Sequence, residues 1–184
     1  SYHGYAMTDL YAVDERYGSN ALYKELADKA KEKGIGLIMD QVANHIGSSH
    51  PWMADLPSKD WVNQWPEFTQ TNHMKVSRFD PHAADVDRKM FTDGWFVETM
   101  PDLNQHNEKL ARYLIQNSIW WVEYLGLHGI RMDTWPYPEK QFLADWTKAI
   151  LDEYPNFNIV GEEWVSDPSL ISYWQAGTAK MDNY

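Results

Sequence analysis

Three short apolar runs each close on an acid, and their spacing narrows what this chain can fold into. They are Ile35-Gly36-Leu37-Ile38-Met39-Asp40, Gly129-Ile130-Arg131-Met132-Asp133 and Asn158-Ile159-Val160-Gly161-Glu162. Short apolar runs bounded by turn signals suit parallel strands buried on both faces. Asp133 and Glu162 are 29 residues apart, a normal length for one strand-helix-strand unit. Asp40 and Asp133 are 93 apart, which is one such unit plus roughly 60 inserted residues. Acids at strand C-termini, followed by elaborated loops, describe the functional face of a (β/α)8 barrel. The expected fold class is therefore α/β: a partial (β/α)8 TIM barrel with a loop-rich inserted subdomain. A full barrel needs about 250 residues, so 184 residues with three clear strands make about half of one. The chain reads as an internal piece of something longer. A doubly wound open sheet is the runner-up, but no Gly-rich phosphate loop follows any strand.

The segments between the runs agree with alternating strands and helices. Residues 1–18 read as loop. Ser19 or Asn20 can cap a helix to about Lys33, with Leu22, Leu26 and Ala30 on one inward face. Gly34 suits the left-handed position after it. From about Ile46 to Asp102, Pro51, Pro57, Pro66, Pro81 and Pro101 interrupt the chain, and Trp52, Trp61, Trp65 and Trp95 decorate it. That stretch reads as a small subdomain with room for short strands of its own; a loop this long is usually functional. A helix is predicted from about Asn107 to Tyr124, with Leu110, Leu114, Ile115, Ile119 and Val122 inward and Gly126 as its stop. Pro138 suits the first turn of the next helix, whose inward face is Phe142, Leu143, Trp146 and Ile150. A last helix is predicted from Pro168 to about Gln175. The division is 1–46 barrel, 47–102 insertion and 103–184 barrel.

Composition excludes several classes. Hydrophobic residues make up 43% and aromatic residues 15%, so the chain is globular rather than disordered. Net charge is −11 with no basic stripe, which argues against nucleic acid. No apolar run is long enough for a membrane span. There is no Cys, hence no disulfide and no thiolate metal site. That fits a cytosolic or an exported protein without separating them; the compartment stays open, with a periplasmic or extracellular one ranked ahead of the cytoplasm. Ten Trp and eleven Tyr offer flat surfaces for stacking on sugar rings or other flat ligands.

The strand ends carry the chemistry. Arg131 and Asp133 are two residues apart, so on a strand they face the same space. An arginine there keeps the acid ionised and oriented, as a nucleophile requires; a structural ion pair is equally open. His45, five residues after Asp40, suits a metal ligand, a sugar donor or a satisfied core residue. Glu162 and Glu163 must point to opposite sides, so one alone can face a common centre. Gly161 leaves room for close approach before Glu162.

These motifs together resemble the α-amylase family (glycoside hydrolase family 13), on its neopullulanase and cyclomaltodextrinase side. Asp40-Gln-Val-Ala-Asn44-His45 resembles its first signature, Gly129-Ile-Arg131-Met-Asp133 its second and Gly161-Glu162-Glu163-Trp164 its third. Met100-Pro101-Asp102-Leu103-Asn104 resembles the signature closing the inserted domain. Gly4-Tyr5 with Thr8-Asp9-Leu10-Tyr11 resembles the segment before the second barrel helix. The resemblance places the chain around barrel strands 3 to 5. It implies Asp133 as nucleophile, Glu162 as general acid/base and Arg131 as the residue orienting the nucleophile. It implies Tyr5, His45, His3, Trp164 and Tyr137 as substrate contacts, with Asp40 and Asn44 fixing loops. The substrates it implies are maltooligosaccharides, cyclodextrins or pullulan, with α-1,4 and in some cases α-1,6 bonds.

Physics suits those roles. Retaining hydrolysis needs two carboxyls about 5 Å apart, one ionised and one protonated. Arg131 is expected to depress the pKa of Asp133, while burial and nearby charge raise that of Glu162. The family's third catalytic aspartate would lie beyond Tyr184, so the chain alone is expected to be inactive. It is also expected to self-associate through exposed strand edges or to need the rest of the barrel. No cofactor is required. Ca²⁺ at Asn44 and Asn104 is the one metal site to consider, although carboxylates are sparse there. The other readings are a non-catalytic amylase-fold protein that binds glucan or scaffolds a partner, and a metal-dependent barrel hydrolase.

Overall fold

A computed structural model describes residues 3–175. The three acid-ended runs form one parallel sheet in chain order: β1 (Ile38–Gln41), β2 (Gly129–Met132) and β3 (Asn158–Gly161). Asp40 pairs with Arg131, and Met132 pairs with Gly161. Hydrogen bonding runs one residue past the strands, because Asp133 N–H donates to Gln41 O at 2.8 Å and Glu162 N–H to Met132 O at 2.9 Å. Register thus brings the acid after β2 level with the acid after β3. The middle strand is buried at Gly129, Ile130 and Met132, whereas Ile38 on β1 and Val160 on β3 are uncovered. Both outer strands have an edge that nothing among the described residues pairs.

Helix α1 (Asn20–Glu32) begins where Ser19 Oγ accepts from Leu22 N–H. Its buried residues are Ala27 and Ala30, and Tyr23 leans on Trp121. The expected inward face is corrected: Leu22 and Leu26 are 56% and 55% exposed. The inward line lies one residue further round, where alanines let α1 approach closely. In the insertion, α2 (Asp85–Asp93) was not foreseen, and no strand forms among the described residues. Two 3₁₀ turns, Pro51–Met53 and Lys75–Arg78, and three isolated bridges complete it. Its outgoing and returning ends lie side by side, with Ile46 N–H bonded to Pro101 O and Leu103 N–H to Asn44 O.

Helix α3 (Glu108–Leu125) is capped by Asn107 and stopped by Gly126 at φ 65°, the left-handed conformation that glycine adopts without strain. Leu110, Leu114 and Val122 are buried as expected, but Ile115 and Ile119 are only half-buried. Asn117, Ser118 and Trp121 take the inward places. They are satisfied there: Asn117 Nδ2 and Trp121 Nε1 both donate to Leu10 O, and Ser118 Oγ accepts from Gln41 Nε2 and Trp146 Nε1. A side chain that reaches a buried carbonyl displaces an apolar one from the same stripe. Helix α4 (Lys140–Glu153) buries Phe142, Leu143, Trp146 and Ile150. It starts after Glu139, so Pro138 precedes the cap instead of sitting in the first turn. Helix α5 (Pro168–Ser172) is shorter than expected. Residues 176–184 of the third segment lie outside the described residues. No described helix is long and apolar enough to cross a membrane.

Candidate active site

One arginine gathers the three strand-end acids. Arg131 Nη1 donates to Asp40 Oδ1 at 2.6 Å and to Asp133 Oδ1 at 2.8 Å, and Nη2 lies 2.7 Å from Glu162 Oε1. Each of the three parallel strands supplies one of these carboxylates. Alternation along β2 aims Arg131 and Asp133 the same way. The doublet after β3 splits: Glu162 joins the arginine, while Glu163 turns to Lys75 and Trp174. The space at Gly161 is filled by an indole, since a Cβ there would sit 2.4 Å from Trp135.

Glu162 is held from three sides. Besides Arg131, Trp164 Nε1 donates to Oε1 at 2.6 Å and Thr134 N–H donates to Oε2 at 2.8 Å. Thr134 has φ 49°, a left-handed conformation that costs a β-branched residue on the order of 1–3 kcal/mol. That turn aims the peptide N–H at the carboxylate.

The titration order differs from the expected one. Burial, with the charges of Glu162 and Asp40, pushes Asp133 up to about 6 despite the pull of Arg131. Burial would also raise Glu162, but the Thr134 N–H, the Trp164 indole and Arg131 outweigh it and leave it below the usual range. Asp133 is the deeper acid and has the Arg131 guanidinium as donor, while Glu162 has the Thr134 N–H and the Trp164 indole besides Arg131. Burial pulls Arg131 down, yet its bonds to Asp40 and Asp133 more than compensate, so it stays cationic.

The other sequence-predicted residues fall in different places. Tyr5 OH donates to Asp40 Oδ2 at 2.9 Å, which raises the phenol's pKa, and its ring stacks on His3 at 5.8 Å. Tyr5 and His3 therefore join the cluster through Asp40. Trp164 is 79% exposed beside Glu162. His45 is buried and tilted against Phe96, and burial holds its pKa down to about 4, so it is neutral. Tyr137 does not stand open to solvent. Its ring stacks on Phe91, packs against Phe96 and places its hydroxyl 3.1 Å from His73 Nδ1. It joins the insertion to the barrel.

Asn44 Nδ2 donates to Asp102 Oδ1 at 3.0 Å, and Asn63 Nδ2 donates to Oδ2 at 2.8 Å. Asp102 is 1% exposed, and burial raises its pKa well above the usual carboxylate range. Asn104 Nδ2 donates to Asp60 O. A calcium ion wants several oxygen ligands with carboxylates among them. Here the one carboxylate is occupied by amide donors, and no described group of three or more His, Asp or Glu side chains could hold a metal. Asn44 Oδ1 is buried without a hydrogen-bond partner, so these residues offer a cation one free amide oxygen beside one occupied carboxylate. Sequence reasoning missed Lys75, Trp174 and the Thr134 peptide. The acid doublet was the one signal, because its second member required a cation from elsewhere.

Fold and site define a βα-barrel module whose candidate centre is a ring of strand-end carboxylates around one arginine. Residues 1–183 match the alpha-amylase catalytic domain, and the chain belongs to that family. It is 25% identical over 166 residues to an intracellular maltogenic amylase of Bacillus subtilis, covering 90% of this chain and 26% of that protein. It is 29% identical over 190 residues to alpha-amylase 3 of Dictyoglomus thermophilum, covering 95% and 36%. The chain thus spans about a quarter to a third of these relatives. Among solved structures, an alpha-amylase of Geobacillus thermoleovorans complexed with acarbose aligns with TM-score 0.80 and 31% identity, over 97% of this chain and 37% of that one. A type III pullulan hydrolase of Thermococcus kodakarensis aligns with TM-score 0.67 and 28% identity, over 92% and 28%.

Proposed function

We propose that the protein carrying this chain is a retaining glycoside hydrolase acting on α-1,4, and in some substrates α-1,6, glucans. Maltooligosaccharides, cyclodextrins and pullulan are the substrate class. The observation that carries the reading is the convergence of Asp133 and Glu162 on one guanidinium. Asp133 attacks the anomeric carbon while Glu162 gives its proton to the departing oxygen. The glycosyl-enzyme ester then yields to water, with Glu162 taking the proton back. Arg131 holds the nucleophile in line. A sugar laid over Glu162 deepens its burial, which favours the protonated form the first step needs. Tyr5, His3 and Trp164 offer stacking and polar edges to that sugar. His45 contributes as a neutral imidazole. No metal is given a role.

The 184 residues alone are expected to turn over no glucan and to sediment as an associated species through their unpaired strand edges. A monomer with full turnover would overturn that part. In the longer protein, Asp133→Asn should cost on the order of 10⁴-fold in kcat, by analogy with other catalytic-group deletions. In the free enzyme the productive pair, ionised Asp133 with protonated Glu162, is a minor form, so wild-type kcat/KM should fall as pH rises through about 6 and again as pH drops below the range where Glu162 titrates. Unchanged activity in Asp133→Asn would discard the enzymatic reading in favour of a non-catalytic glucan-binding protein.

A further inference from the structure

Glu163 stands next to the candidate acid/base, yet it faces away from the site and has no part in the chemistry above. Its side chain is 5% exposed. A buried carboxylate without a cation is costly, and beside Glu162 it would add a second repelling charge. Lys75 answers it from 88 residues earlier, on the 3₁₀ turn of the insertion. Its Nζ lies 2.9 Å from Glu163 Oε1, and the lysine side chain is itself 19% exposed. Trp174 Nε1 completes the set, donating to Oε2 at 2.8 Å.

The same turn grips its surroundings twice more. Arg78 donates to Pro138 O at 2.8 Å and lays its guanidinium against the Trp174 ring. Phe79 packs edge-on against Tyr173 at 4.9 Å. Arg78 and Tyr137 also interact electrostatically with Glu163, and His73 does so with Lys75. One short turn of the insertion therefore holds the end of β3, the chain before α4 and the chain after α5.

We propose that Lys75 and Glu163 are positioning residues: an ion pair that ties the insertion to the end of β3, fixes the backbone carrying Glu162 and cancels the second charge of the acid doublet. This deepens the glycosidase reading and rests on it.

The test compares Lys75→Met, Lys75→Arg and Lys75→Met/Glu163→Gln in the full-length protein. Lys75→Met should lower kcat at least tenfold while KM changes by less than threefold. Both limbs of its kcat/KM profile should move to higher pH, since an unanswered Glu163 charge favours the protonated forms of Glu162 and Asp133. Lys75→Arg should recover most of the loss. The double variant should return both limbs to their wild-type positions with kcat still low, because the tether is gone. A lowered melting temperature with unmoved limbs would mean a merely structural pair and overturn the proposal, as would full activity in Lys75→Met. Carbon-13 titration of the Glu162 carboxyl gives a readout independent of turnover. An upward shift in Lys75→Met that vanishes in the double variant supports the clamp, and no shift overturns it. An inactive wild type would sink the glycosidase reading alone.

Discussion

The barrel portion and the insertion are held together by different means. In the barrel, Ile130, Met132, Leu143, Trp146, Ile150 and Leu151 interlock with almost no exposure, and the backbone is satisfied by helices and the sheet ladder. The insertion has little of either, so side chains serve its carbonyls. Trp65 Nε1 donates to Asp93 O, Trp95 Nε1 to Asn63 O, Thr71 Oγ1 to Phe91 O and Asn72 Nδ2 to Asp87 O. Arg88 alone reaches the carbonyls of Ser77, Asp80 and Pro81. A segment without a ladder must find donors elsewhere, which accounts for part of its Trp and Asn content.

Three measurements sharpen or break this contrast, and the first should be the largest. Trp146→Ala should destabilise the barrel by about 3–5 kcal/mol through the cavity it leaves. A loss near zero in chemical denaturation would mean that the apolar interlock is not what holds the sheet. Asn63→Ala should cost about 1–3 kcal/mol, because it strips one donor from the buried Asp102 carboxyl. Hydrogen exchange should localise that loss to the insertion, and a loss spread evenly through the barrel would erase the distinction. The smallest effect is one of pH. Asp102 has its folded pKa raised by burial, so its contribution to stability is full below the ordinary aspartate value of about 3.9 and is lost as pH rises toward the folded value. The base of the insertion should open more readily with rising pH, after correction for intrinsic exchange, and Asp102→Asn should abolish that trend. A trend of the opposite sign would contradict the burial argument.

The same contrast decides what was legible in the sequence. The parallel sheet, its strand order and the faces of α4 follow from runs and periods that apolar packing imposes, so Phe142, Leu143, Trp146 and Ile150 were readable. Asp40, Arg131, Asp133 and Glu162 were readable as strand-end residues, and their meeting follows from alternation and register. Where polar contacts compete with apolar ones, reading failed. Asn117 and Ser118 displaced Ile115 and Ile119 because they reach partners in other segments. In α1 the choice between the Leu22 and Tyr23 lines depended on what stood opposite. The helix α2 is nine residues long, follows Ala84 without a side-chain cap and buries only Phe91, so it left little trace. The titration order of Asp133 and Glu162 depends on the Thr134 peptide and the Trp164 indole, and motif spacing does not encode a backbone angle. Lys75 and Glu163 are too distant in sequence for any local rule to join them.

Arg131 binds three carboxylates and can neutralise only one of them. Once all three are ionised, the mouth of the half-barrel is an electrostatic well that exists before any ligand arrives. The same field turns anions away, so an anionic ligand should bind here more weakly than its neutral counterpart. Equal binding of maltose and a maltose phosphate would show that the surplus charge is screened out.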